Sequence, residues 1–323
     1  FDAATDTFNF NPFNFFIRPN ERFNVGAFLN YHLTDKVEAF LDFQFMDDRT
    51  NAQIAPGGTF FQTETINCDN PLLTDTQLQS ICQPNAFVAN PNFLDDEGNP
   101  VPGQDQFVPL QQINPDTGAA EVPLFIGRRL IEGGNRNSDI RHTTYRVVGG
   151  FRGQLSERWD FDVSGQFANV IYSETSNNNI FIPNLALALD VVEDPVTGEP
   201  VCRREGVIEG CAPFDIFTIG NVTDEALDFI QQPGFNNGEV TQAVFIGTVS
   251  GDLTGYGFKS PFAGDGVQTV FGFEYRQDQL DFNSDFVQRN GLLGGVSPDV
   301  DGTINVYEFF NETAVPLVQN KRF

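Results

Sequence analysis

Few side chains in this chain have the types and spacing that acid–base or nucleophilic chemistry requires. There are only two histidines, and one of them, His142, follows closely after Asp139. No serine or cysteine stands beside them in a recognisable nucleophile turn, and the sequence contains no Gly-x-Ser-x-Gly, phosphate-binding or dinucleotide-binding motif. We therefore expect a protein that is not an enzyme and that needs no cofactor.

The four cysteines form two local pairs, Cys68 with Cys82 and Cys202 with Cys211. None has the Cys-x-x-Cys spacing that is typical of zinc sites. An even number of locally paired cysteines favours two disulfides, with free thiols as the alternative. Closing a loop of about 15 residues removes roughly 3 kcal/mol of chain entropy from the unfolded state. Because disulfides persist in oxidising compartments, we expect the chain in the periplasm, at the cell surface or outside the cell.

The charge balance is strongly acidic, with 18 Lys and Arg against 44 Asp and Glu. Nucleic-acid binding needs a basic surface, so nucleic acid is not an expected partner. The acidic runs at 95–98 and 299–302 resemble the start of calcium-binding loops, but neither continues to the closing Glu of an EF-hand. We interpret both runs as tight turns, with calcium binding as the alternative.

The arginines are concentrated in one passage of the chain, at Arg128, Arg129, Arg136, Arg141, Arg146 and Arg152. One interpretation pairs them with carboxylates on neighbouring strands, such as Glu38, Asp160 and Asp162. The other is a basic patch that binds an anionic ligand through bidentate contacts to carboxylate or phosphate. On the second interpretation we predict that Arg136, Arg141 and Arg146 are the ligand-binding residues.

Two long hairpins are the elements that would position these residues. Residues 22–49 form two runs of alternating apolar and polar side chains around a turn at 34–36, and residues 145–167 repeat this pattern around a turn at 156–158. Alternation with a period of two predicts strands. These strands are roughly twice the usual soluble length of about 5–6 residues. One apolar face over about 9–11 residues suits a tilted strand of a membrane barrel.

The whole pattern predicts an all-β fold of about seven long antiparallel strands. They are expected at about 22–33, 37–49, 139–155, 159–174, 239–254, 266–282 and 303–317. Long loops at about 50–138, 175–238 and 283–302 alternate with short turns at 34–36, 156–158 and 255–265. Short helices are predicted at 185–192 and, with Thr223 as N-cap, at 223–230. Long loops at one end and short turns at the other are typical of outer-membrane barrels.

In such a barrel, Arg146 and Arg152 would point into the lumen, and Arg141 would lie nearer the outer mouth. No run of 18 or more apolar residues predicts a membrane helix. Seven strands are an odd number and cannot close a standard bacterial barrel. We therefore expect both chain ends to be cuts in a longer polypeptide. We therefore predict a partial transmembrane β-barrel with long extracellular loops.

Several stretches resemble the barrel section of TonB-dependent outer-membrane receptors, in particular the large receptors of sphingomonads and caulobacters. The resemblance lies in NFNPFNFFIRPNERF (9–23), FMDDRTNAQIAP (45–56), INCDNPLL (66–73), RRLIEGGNRNSDIRHTTYR (128–146), ALDVVEDPVTGEPVCR (188–203) and GDLTGYGFKSPFAGDGVQTVFGFEYR (251–276). These stretches are spread over nearly the whole chain and are much longer than a short motif.

The resemblance implies a barrel of about 22 strands around an N-terminal plug domain. Such receptors import bulky nutrients, for example ferric siderophores or oligosaccharides, and take energy from the inner membrane through TonB. Residues 1–323 would be part of the barrel domain, with the plug absent, in the outer membrane of a Gram-negative bacterium. The expected partners are the TonB complex, outer-membrane lipid and a small-molecule substrate. The alternatives are a passive porin and a secreted β-rich adhesin.

Overall fold

The computed structural model describes residues 7–90, 92–95, 99–203 and 208–319, without the side chains of 60–63. Seven long strands form one antiparallel sheet in which every strand pairs with its neighbours in chain order. The strands are Asn20–Thr34 (β1), Val37–Pro56 (β2), Asn135–Ser156 (β3), Trp159–Ile180 (β4), Gln231–Asp252 (β5), Gln268–Ser284 (β6) and Val300–Ala314 (β7). The predicted all-β antiparallel class and the seven long strands are therefore confirmed. The predicted acidic turn at 95–98 falls largely outside the described residues.

One face of this sheet carries a continuous apolar surface, which we call the apolar band. Its register is regular: Leu29 lies opposite Leu41, and Phe43 opposite Val147. The band consists of Val25, Leu29, Tyr31, Leu41, Phe43, Phe45, Tyr145, Val147, Phe151, Phe161, Val163, Phe167, Phe245, Phe273 and Phe309. Aromatic pairs link neighbouring strands within it, with ring centroids 5.0 Å apart for Phe273 and Phe309. Cross-strand aromatic pairs of this kind stabilise a sheet.

The opposite face, which we call the polar face, carries charged and amide side chains. It includes Glu38, Asp42, Gln44, Arg146, Arg152, Asp160, Asp162, Gln166, Gln242, Glu274 and Asp278. The short connections lie at one end of the sheet, the turn end, and the long insertions lie at the other, the loop end. The asymmetry that the sequence predicts is thus present in the fold.

Several strands extend further toward the loop end than predicted. β2 continues to Pro56 and β3 starts at Asn135, because Asp47 still pairs with Thr143 and Asn51 with Asp139. Most of these added residues are polar and the few apolar ones are not confined to one face, so they give no alternation signal, although their backbones continue the hydrogen-bonded ladder. β7 runs over 300–314 and not over the expected 303–317.

The two long insertions, between β2 and β3 and between β4 and β5, fold together into one unit that we call the cap. The first insertion contains the strands Gly58–Asn67, Phe87–Ala89, Phe107–Pro109, Gln112–Ile113 and Ala120–Arg129 and the helix Asp75–Ile81 (α1). The second contains the helices Ile182–Leu189 (α2) and Asp224–Ile230 (α3) and a small hairpin of Val191–Glu193 with Pro200–Cys202. The connection between β6 and β7 holds one short helix, Phe286–Arg289 (α4).

The buried hydrophobic core lies in the cap and not in the sheet. Its members come from both insertions and from the end of β4; they are Ile66, Ile126, Leu130, Ile180, Leu185, Ala188, Leu189, Phe214, Ala226, Leu227, Phe229 and Ile230. Thr223 caps α3 by accepting a hydrogen bond from the Ala226 amide, as predicted. α2 starts and ends about three residues earlier than the predicted 185–192. Among the described residues, no helix has the length and apolar character needed to span a membrane.

Candidate functional site

The three arginines predicted to bind ligand do not share one surface. Arg141 lies on the side of the sheet that carries the apolar band, whereas Arg146 lies on the polar face. Arg136 is on the polar-face side, at the loop-end tip of β3, where its Nε donates to the Ala55 carbonyl at 3.2 Å. The structure therefore separates these residues and does not form a single basic patch from them.

Arg141 makes a bidentate ion pair with Asp47 on the neighbouring strand, with Nε–Oδ1 and Nη2–Oδ2 distances of 2.9 and 3.1 Å. Arg49 pairs in the same way with Asp139, with a distance of 2.8 Å from Nε to Oδ1. These four residues, with Glu21, Phe23, Ser173 and Thr175, line a groove of about 430 Å³. The groove follows directly after the apolar band at the loop end, so this face changes abruptly from apolar to charged.

The polar face carries a hydrogen-bonded row across four strands. Arg146 donates to Gln166 Oε1 from both Nε and Nη2, at 2.8 and 2.6 Å. Gln166 Nε2 donates to Gln242 Oε1 at 2.6 Å, and Gln242 Nε2 donates to Asp278 at 2.8 Å. Nearer the turn end, Arg152 pairs with Glu38 at 2.6 Å. The interpretation in which arginines pair with neighbouring acids is confirmed for Arg152 and Glu38, while Arg146 bonds to an amide.

The seam between the two insertions of the cap is polar and buried. Asn67 is 1% exposed, and its Nδ2 donates to the Val191 carbonyl at 2.7 Å. Asn70 Nδ2 donates to the Leu189 carbonyl at 3.2 Å. Each side chain reaches from the first insertion to the backbone of the second, so the two insertions are joined by hydrogen bonds as well as by the shared core.

Arg203 also joins the insertions, because it binds Asp69 at 2.6 Å and Asp190 at 2.8 Å. Burial by itself would raise the pKa of Asp69, but the hydrogen bonds from Arg203 and Asn67 outweigh it and hold this pKa below its ordinary value. The two predicted disulfides, Cys68–Cys82 and Cys202–Cys211, are present. One cysteine of each is the chain neighbour of Asp69 or Arg203.

Sequence reasoning did not identify Asn67, Asn70 and Arg203 as structurally important. The only local signal was that Asn67 and Arg203 each adjoin a cysteine. Since their partners lie more than 100 positions away or in irregular backbone, no periodic pattern marks them. The helix α1 was also missed, although Thr74 and Gln77 form a capping box at its start.

The turn end carries an aromatic contact around the single tryptophan of the chain. Trp159 Nε1 lies 3.4 Å from the Tyr256 hydroxyl oxygen, and the Arg158 guanidinium lies 5.4 Å from the centre of the Tyr256 ring. This contact lies at the turn end of the apolar band, and the Arg141–Asp47 groove lies at its loop end.

Comparisons of the chain with protein-family models and with curated protein sequences find no match. The resemblance to TonB-dependent receptors therefore stays a prediction, and the geometry above is the basis for a functional proposal.

Proposed function

We propose that the chain is a barrel segment of a TonB-dependent receptor of the Gram-negative outer membrane, which takes up a bulky nutrient such as a ferric siderophore or an oligosaccharide. The observation that carries this proposal is the apolar band. On β2 it extends from the turn end at Val37 to Phe45 and gives way to Asp47 and Arg49. This span is about 27 Å along the strand, and at a barrel tilt of about 35–45° it rises roughly 19–22 Å, which is most of an outer-membrane apolar layer of about 25 Å.

The side chains of the band are exposed or half-buried on the sheet as described, and those on the two edge strands are the most exposed. Phe309 is 84% exposed, Tyr31 64% and Leu29 59%. Burial of one large apolar side chain contributes about 1.5–3 kcal/mol, so an uncovered face of this size strongly favours contact with an apolar phase. Lipid is the covering that fits a band bordered by charged residues at one end and aromatic residues at the other.

The edges of the sheet agree with a larger barrel. β1 and β7 are the two edge strands, and both run from the loop end to the turn end. Because they run in the same direction, closing the sheet with antiparallel pairing requires an odd number of further strands. Closed barrels remove exposed strand edges, which a membrane cannot satisfy.

The mechanism we propose assigns a role to each part. The cap at the loop end faces the outside and meets the nutrient first, the polar face lines the lumen, and the TonB complex supplies energy through a plug domain. The folded core and disulfides of the cap suit an exposed position, since disulfides persist outside the cytoplasm. The hydrogen-bonded row from Arg146 to Asp278 would form a hydrated lumen wall.

Epitope insertion tests the orientation directly. One epitope is placed beside Val196, which is 90% exposed at the tip of a cap hairpin, and another in the turn at 35–36. Antibody should bind the first epitope on intact cells, and the second only after the outer membrane is permeabilised. Detection of the turn epitope on intact cells, with the cap epitope hidden, would contradict the proposal.

The energy requirement is tested separately in cells that make the protein. Accumulation of a siderophore or oligosaccharide that depends on this protein should stop when the inner membrane is de-energised. Continued flux without that energy would favour the passive porin. A protein that remains soluble without detergent would favour the secreted adhesin.

A further inference from the structure

A polar cavity of about 230 Å³ lies in the cap, at the boundary between the two insertions. It is lined by Glu64, Thr65, Asn67, Asn114, Glu121, Ala186 and Asp190. The first five residues belong to the first insertion and the last two to the second. Three of the seven side chains are carboxylates, so the cavity is strongly acidic.

Glu64 is the unusual member of this set. It is only 8% exposed, and its carboxylate makes no hydrogen bond or ion pair with any described residue. The other two carboxylates have partners: Glu121 accepts from Asn114 Nδ2 at 2.7 Å, and Asp190 accepts from Arg203 Nε at 2.8 Å. Glu64 therefore lines the cavity with an unpaired carboxyl group, and burial raises the pKa of this group above its ordinary value.

The chemistry of the cavity points to a positively charged ligand. Arg203 contacts one of the lining carboxylates, Asp190, but its charge is already shared between Asp69 and Asp190. A chelated metal does not fit, because no three acidic, histidine or cysteine side chains in the described part of the chain are placed to hold one. An organic ammonium group instead donates up to three hydrogen bonds and needs no fixed set of chelating ligands.

We propose that this cavity binds the ammonium group of a small organic amine, with Glu64 as its counter-ion and Glu121 and Asp190 as further acceptors. Since both insertions line the cavity, the bound amine stabilises the closed cap by mass action. The site is a property of the cap, and it does not depend on the transport function proposed above.

The test is calorimetric titration of the full purified chain with putrescine. Its uncharged counterpart, 1,4-butanediol, serves as the control probe, and calcium chloride tests for a metal. Putrescine should bind the unmodified chain and the Glu209→Gln control, in which an exposed acid of the second insertion loses its charge. Glu64→Gln keeps the shape of the side chain and should weaken binding by at least about tenfold, the factor that corresponds to about 1.4 kcal/mol.

A pH series provides a second measurement on the unmodified chain. Glu64, Glu121 and Asp190 are the titratable groups that line the cavity, and Arg203 stands behind Asp190. Putrescine stays charged through this range, so its affinity should fall as the pH drops through the raised pKa of Glu64. Absence of putrescine binding, equal binding by Glu64→Gln, equal binding of butanediol, or binding of calcium alone would each overturn the proposal.

Discussion

Replacement of Asn67 by alanine tests whether the cap is held together by its polar seam. Asn67 Nδ2 donates to the Val191 carbonyl, and Asn67 Oδ1 accepts from the Val191 amide at 3.3 Å. Val191 is 0% exposed, so in the closed cap both of these backbone groups depend on Asn67 for their hydrogen bonds. Each buried group left without a partner costs about 1–3 kcal/mol, and two such groups give about 2–6 kcal/mol. At about 1.4 kcal/mol per factor of ten, the opening equilibrium of the cap shifts by roughly 30-fold to 10⁴-fold.

Hydrogen exchange measured by mass spectrometry resolves this effect by region. Asn67→Ala should accelerate exchange in α2 and α3, while the strands β3 to β5 keep their protection near the turn end, because local opening does not require unfolding of the sheet. Asn85→Ala is the matched control, since Asn85 is exposed in the same insertion. If Asn67→Ala leaves cap exchange unchanged, or accelerates exchange equally throughout the sheet, the two insertions do not form a separate unit joined at this seam.

Three further predictions concern packing and pH. Gly153→Ala should destabilise the sheet by about 1–3 kcal/mol in thermal unfolding, because the new Cβ would lie 2.0 Å from the Lys36 carbonyl oxygen. The control is Gly302→Ala, whose new Cβ would meet no atom within 4 Å and which should be close to neutral. Arg203 lowers the pKa of Asp69, so this pair stabilises the cap above the unfolded pKa, near 3.8, and the stabilisation is lost as the pH falls through the lower folded pKa. Cap exchange followed from pH 6 to about pH 2 should show this loss in the unmodified chain and a flatter profile in Arg203→Gln; an identical profile would contradict it. For Glu64 the pH dependence of stability has the opposite sign, because its pKa is raised in the folded chain. The stability of the cap is greatest below the unfolded pKa, near 4.5, and falls as the pH rises through the raised folded pKa. Glu64→Gln should remove this fall.

The sheet could be predicted from the sequence because its signal is local and repeated. Leu29, Leu41 and Phe43 alternate with polar residues, and this period of two survives whatever the strand packs against. The strand ends could not be predicted, since beyond Phe45 most residues of β2 are polar and the apolar ones, such as Ile54 and Ala55, are not confined to one face. Hydrogen-bonded pairing continues there without any change of hydrophobicity to mark it.

The cap could be predicted only in parts. Thr223 predicted the start of α3, and the cysteine pairs predicted the two disulfides, because the residues of each signal are at most 14 positions apart in the sequence. The joining of the two insertions depends on contacts such as Asn67 with Val191, which local sequence does not encode. The arginines show the same limit: Arg141 and Arg146 are close in sequence, yet an odd separation in a regular strand places them on opposite faces.

The central claim is that the apolar band faces lipid, and tryptophan fluorescence tests it most directly. Trp159 is the only tryptophan, so Trp159→Phe provides a silent background. In that background, Phe161→Trp reports from the band and Asp162→Trp from the polar face of the same strand. In vesicles of lipids with brominated acyl chains, the emission of the Phe161→Trp variant should be strongly quenched and that of the Asp162→Trp variant only weakly. Equal quenching of the two positions, or quenching of neither, would contradict the account.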